Sequence, residues 1–189
     1  MGKETTTLRL LKNLEREELI EVLTELIKND KKNEQFVKLF IKGSDPKHLG
    51  EIVGDAKKKI FSQFYTSSHF PKEHVSLRTA RSIVMDYSKL LKQAPGGAAD
   101  IKLYYVELGS EILSDFGGDD EPLINSTAAM FDNFCSDIFK YPQYYETFKL
   151  RLDELSKTAG KIGYGFPDFI DEKISELEVE FDEEGEDED

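Results

Sequence analysis

The chain has one cysteine, Cys135, and only three histidines among its 189 residues. A single thiol excludes an internal disulfide framework and any cysteine-rich zinc site. His48, His69 and His74 form neither an H-E-x-x-H pair nor a histidine–cysteine spacing, and Phe70-Pro71 interrupts the helix that would align His69 with His74. No metal and no cofactor is expected. Also missing is any run approaching about 20 apolar residues, so no membrane-spanning helix is expected. The start, MGKETTTLRLLKNLEREEL, is charged within its first few residues and offers no continuous apolar stretch of the signal-peptide kind. It does match the short Met-Gly-x-x-x-Ser/Thr pattern of myristoylation, which is too common to displace a cytoplasmic location as the expectation.

Bases are in deficit: 25 Lys and Arg stand against 38 Asp and Glu, for a net charge of −13. The imbalance is local. Nine acids fall between Glu178 and Asp189, with no base after Lys173; without them 29 acids face 25 bases, a net of −4. Such runs repel themselves and are expected to be disordered. The chain is therefore read as one helical domain over residues 1–181 and an acidic disordered tail over 182–189.

Period-two alternation is absent over any useful length; what is present has the period of a helix. Leu19, Leu23, Leu26 and Ile27 form one apolar stripe, and Leu49, Ile52, Val53, Ala56, Ile60 and Phe64 another. Similar stripes begin at Leu77, Ile101, Ile124, Tyr145 and Ile170. Between them lie the breakers KGSDP, SSHFPKE, APGG, FGGDDEP, KYPQ and GYGFP. The fold class is all-α. Short connections between helices of similar length predict an antiparallel multi-helix bundle. The alternative is a short helix-pair (HEAT-like) solenoid, because from Pro71 onward a pair of helices takes about 46 residues. No residue-level self-similarity supports that repeat.

The N-terminal LKNLEREELIEVLTELIKNDKKNEQFVKLFI, a helical body and the late GYGF element together resemble a family of all-helical bacterial proteins that form a domain of unknown function. The likeness covers most of residues 8–180. It implies an all-α fold and brings no catalytic residues with it.

The stretch GKIGYGFPDFID, Gly160 to Asp171, invites a phosphate-binding reading. A P-loop, however, needs its lysine after the second glycine and a strand before the first, whereas Lys161 follows Gly160 at the end of a helical stripe. A dinucleotide fingerprint starting at Gly163 would need its third glycine at Asp168. The stretch therefore reads as a connector: Gly160 or Gly163 ends one helix in a left-handed conformation, Pro167 stiffens the link, and Asp168 caps the next helix. Tyr164, Phe166 and Phe169 would fold back as an aromatic plug. Asp115, Asp119, Asp120 and Glu121 surround Gly117-Gly118 but do not fit the calcium-loop spacing; they read as acids at a helix N-terminus before Pro122. Cys135 shares a stripe with Phe131 and Phe134 and reads as a small buried hydrophobe. No Ser, Thr or Cys has a nucleophile-elbow context.

One helix face stands out. Arg78, Arg81, Met85, Lys89 and Lys92 recur at steps of three or four, opposite an apolar side, with Asp86 as the only acid nearby. Lys57, Lys58, Lys59 and Lys72 are candidates to extend it. Such a stripe suits an acidic partner, an anionic ligand or a nucleic-acid backbone; as a plain alternative it is a solvated helix face. Net charge argues against nucleic acid, which needs cations unopposed by acids. The expected function is a non-catalytic helical protein-interaction module. Its partner surface would be Arg78, Arg81, Lys89 and Lys92, or an aromatic patch at Tyr164 and Phe166. The alternative is a nucleic-acid- or ribosome-associated protein with an acidic autoinhibitory tail; an enzyme, with carboxylates or tyrosines converging from distant segments, comes third.

Overall fold

The structure is a computed structural model that describes residues 6–42, 45–116, 119–163 and 165–182, apart from the side chains of Leu39, Lys42 and Asp182. Tyr164 and the acidic residues after Asp182 lie outside the described residues. Nine α-helices account for most of what is described: α1 (Thr6–Lys12), α2 (Arg16–Asn29), α3 (Lys31–Lys42), α4 (Pro46–Phe64), α5 (Leu77–Leu90), α6 (Pro95–Phe116), α7 (Glu121–Lys140), α8 (Tyr145–Ala159) and α9 (Phe166–Asp182). Among the described residues the one β-type pairing is an isolated bridge between Tyr65 and Pro71. The all-α expectation holds.

The chain divides into two compact units, Met1–Asp45 and Pro46–Asp189, where the sequence reading draws one domain through residue 181. The division falls at KGSDP, a breaker that on composition alone looks like any other turn. In the first unit α2 packs on α3. Glu15 and Glu18 close a capping box at the start of α2, with the Glu15 N–H donating to Glu18 Oε2 at 2.8 Å. None of the described side chains of this unit is buried. The stripe at Leu19, Leu23, Leu26 and Ile27 forms as a helical stripe, yet Leu23 and Leu26 remain exposed.

The second unit holds the core. Its helices alternate in direction, as the side chains that meet across them show. From α6 to α7, Tyr105 meets Ser126 and Lys102 meets Asp137, so residue numbers rise on one helix as they fall on the other. From α4 to α6 they rise together, Lys57 with Asp100 and Tyr65 with Glu111. α7 and α9 likewise run parallel, through Phe131 with Phe169 and Phe139 with Phe181. This is an antiparallel bundle in which next-but-one helices run the same way.

Helix α6 is at its centre, packing on α4, α5, α7 and α8. Its buried residues are not confined to one stripe: Ile101, Lys102, Leu103, Tyr105 and Val106 are all buried within two turns. Gly109 lets α7 approach closely, because a Cβ there would press into the Thr127 side chain. Tyr105 stands edge-on to Phe64 at 5.0 Å and its hydroxyl lies 2.6 Å from Ser126 Oγ, so its polar end is satisfied inside the core. Cys135 is buried on α7, as its place beside Phe131 and Phe134 predicts.

Candidate interaction surface

Helix α5 owes its two faces to period. Ala80, Val84, Tyr87 and Leu90 recur at steps of three and four and are buried against the core. The positions between them carry the cations outward. Arg78, Arg81, Lys89 and, in the turn just after the helix, Lys92 are all exposed, with Met85 exposed between them. Arg78 and Lys89 are about 16 Å apart at the helical rise of 1.5 Å per residue. None of the four cations makes an ion pair with a described residue. By contrast, Lys28, Lys38, Lys57, Lys59, Lys102, Arg151, Lys157 and Lys173 each lie within 4.0 Å of a carboxylate.

The neighbouring lysines do not extend this face as their spacing suggests. Lys57 pairs with Asp100 of α6 at 2.7 Å. Lys59 bridges Asp55 and the Tyr87 hydroxyl, which itself donates to Asp55, so these three groups join α4 to α5. Lys72 donates to the backbone carbonyl of Ser62. Lys58 alone stays exposed on α4 without an ion pair among the described residues.

Phe166 does not belong to an exposed aromatic patch. Phe166 is 2% exposed and belongs to the core; Tyr164 lies outside the described residues. Phe169 stands edge-on to Phe131 at 6.4 Å. A ring at the first position of a helix packed on two others has somewhere better to go than solvent, so Phe166 joins the core. The connector itself differs in detail from expectation. Gly160 is right-handed at φ −57°, and the left-handed glycine is Gly165 at φ +72°. Asp168 sits inside the first turn of α9 instead of capping it. At the other acidic stretch Asp120 is the N-cap of α7, accepting from the Leu123 N–H at 3.0 Å with Pro122 just inside the helix.

A groove of about 620 Å³ opens beside the start of α5, walled by Phe70, His74, Leu77, Ile112, Phe116 and Leu123 among others. Phe70 and Phe116 are 70% and 65% exposed, large apolar rings that nothing in this unit covers. The sequence reading missed it, because its walls come from the α4–α5 loop, the start of α5, the end of α6 and the start of α7. The exposed phenylalanines next to breakers are the only local signal it leaves.

Carboxylates and tyrosines do converge, on the seam between α4, α6 and α8. Arg151 donates to both oxygens of Glu107 and also to Asp100, which Lys57 shares. The Tyr65 hydroxyl donates to Glu111 at 3.3 Å. Burial raises the pKa of Glu111 and, with the Glu111 charge adding to it, that of Tyr65. A pocket of about 160 Å³ lies here, lined by Glu107, Glu111, Arg151, Glu154, Leu155 and Thr158. Its best-placed acid, Glu107, is committed to Arg151, which makes the seam an ion-pair network that binds helices together. No group of three or more His, Cys, Asp or Glu among the described residues is arranged to hold a metal ion.

No described helix is long and apolar enough to cross a membrane. The chain matches no protein-family model, no curated protein and no solved structure.

Proposed function

We propose that this chain is a non-catalytic helical interaction module whose partner is a protein that presents acidic residues to the exposed face of α5. The observation that carries the reading is the row Arg78, Arg81, Lys89 and Lys92, exposed and without an ion pair among the described residues in a chain of net charge −13. Nine other cations of the described residues already have a carboxylate within 4.0 Å. A row left unneutralised amid so many acids is a surface whose charge is available to something else. The groove at Leu77 adjoins the first turn of α5, so it gives the same partner an apolar seat next to its ionic contacts. The resemblance to a helical bacterial family fits this reading, since it carries no catalytic residues, and a cytoplasmic location goes with it.

Fluorescence anisotropy with a labelled polyglutamate peptide tests the proposal. The full chain is expected to bind at low salt and to lose affinity as the screening length falls from about 10 Å at 0.1 M to about 3 Å at 1 M. Reversing the four charges (Arg78→Glu, Arg81→Glu, Lys89→Glu, Lys92→Glu) should abolish it. Removing residues 183–189, which carry six acids, should strengthen it by removing a tethered competitor. Tight binding to nucleic acid with none to the acidic peptide would instead select the nucleic-acid reading. Failure of both ligands, with or without the tail, would leave α5 a solvated face and sink the proposal.

A further inference from the structure

The first unit has the opposite problem from the second: apolar residues in helical register and no core to put them in. Ile20, Leu23 and Leu26 on α2 are 52%, 45% and 47% exposed, and Phe36, Phe40 and Ile41 on α3 are 49%, 66% and 75% exposed. A hairpin of two helices this short cannot enclose a core of its own. An apolar face of this extent on a soluble helix pair is an interface in waiting. Its charges indicate what covers it. Helix α2 carries Glu17, Glu18, Glu21 and Glu25 against Arg16 and Lys28, while α3 carries Lys31, Lys32, Lys38 and Lys42 against Glu34. One helix of the hairpin is acidic and the other basic. A surface of that kind is complementary to itself once rotated, which is what a two-fold interface requires.

We propose that α2 and α3 are a self-association surface: two copies of the chain pack their hairpins into a four-helix bundle, with α2 of one copy against α3 of the other. The helices span about 21 and 18 Å at 1.5 Å per residue, so they match in length and can bury their stripes along the whole contact. Pairing α2 with its own copy would set four glutamates against four, and pairing α3 with its own copy would oppose lysines. The crossed pairing avoids both. This inference does not depend on the α5 face, which lies in the other unit.

Light scattering on the full chain, at concentrations from about 5 to 100 µM, reads the assembly directly. The expected result is a mass rising with concentration from 21.6 kDa to twice that value. Leu23→Glu with Phe40→Glu should keep the chain monomeric, with Cys135 still protected from thiol reagents as evidence that the second unit is folded. The pairing is tested by two charge variants, one with Glu21→Lys and Glu25→Lys, the other with Lys31→Glu and Lys38→Glu. Each alone should dimerise about tenfold more weakly or worse, and an equimolar mixture should recover the wild-type affinity. Recovery on mixing cannot come from a variant that has merely unfolded. A chain that stays monomeric at 100 µM would overturn the inference, the face then being covered within the chain or by another protein. If the Glu→Lys variant pairs with wild type more tightly than wild type pairs with itself, α2 meets α2 and the proposed pairing is wrong.

Discussion

Arg151 of α8 grips Glu107 of α6 with two parallel hydrogen bonds, Nε to Oε1 at 2.7 Å and Nη2 to Oε2 at 2.9 Å. Its remaining nitrogen reaches the Asp100 carboxylate, which Lys57 also holds. The Arg151 side chain is 30% exposed and both acids 24%, so water screens the cluster only in part. Truncation to Ala would leave two half-buried carboxylates with Lys57 alone between them. The expected loss is about 2–3 kcal/mol in urea unfolding. Arg151→Lys should recover less than half, since an ammonium cannot form the fork. A loss below about 0.5 kcal/mol for Arg151→Ala would show that the seam is solvent-screened after all.

Gly109 and Thr127 make a second pair that acts across helices. A methyl group on Gly109 would overlap the Thr127 hydroxyl and press on its Cγ2, while Thr127 is fully buried and its hydroxyl has no hydrogen-bond partner. Gly109→Ala should therefore destabilise by about 1–3 kcal/mol. Thr127→Ala in the same chain should return most of that loss, giving a coupling of about 1 kcal/mol or more in a double-mutant cycle. Strict additivity would mean that α6 and α7 separate to accept the methyl.

Gly163 and Gly165 of the α8–α9 connector should behave differently. Gly165 is left-handed at φ +72°, whereas a Cβ on Gly163 meets nothing within 4 Å and Gly163 is not left-handed. Gly165→Ala should cost about 1 kcal/mol from backbone strain alone, and Gly163→Ala should be neutral or slightly stabilising through the unfolded chain. Equal effects on the thermal midpoint would contradict the geometry.

Burial pushes the Cys135 thiol up to about 12, with Asp132 adding to the shift. Almost no thiolate is then present at pH 8, and the residue is only 3% exposed as well. Reaction with a chromogenic disulfide should be slower in the native protein than in urea by about a thousandfold or more. Fast native reaction would place Cys135 outside the core.

The stripes of α4 to α9 were legible because burial on one side of a helix forces apolar residues to every third or fourth position. Ile52, Ala56, Ile60 and Phe64 are buried as their spacing predicts, and so are Phe131, Phe134 and Ile138. The cations of α5 were legible for the complementary reason, since residues that face water on such a helix keep the same period. The α2 stripe shows the limit: Leu23 and Leu26 have the spacing of a core and the exposure of a surface. Periodicity records that a face is apolar, and says nothing of what covers it.

What the sequence determined by itself was therefore local: helices, their ends at breakers such as Asp120-Glu121-Pro122, and which side of each is apolar. Which cations stay unneutralised was decided only in three dimensions. Lys57, Lys59 and Lys72 look as available as Arg78 and Arg81 until α6, the Tyr87 hydroxyl and the Ser62 carbonyl are brought beside them. The central place of α6, buried well beyond the one stripe its spacing predicts, likewise comes from its packing on α4, α5, α7 and α8. Ion pairs and enclosed helices join residues thirty to fifty positions apart, as Lys102 with Asp137 and Arg151 with Asp100 do. Charge and hydrophobicity act over a few ångströms of space, and the chain's own order does not encode which distant residues come that close.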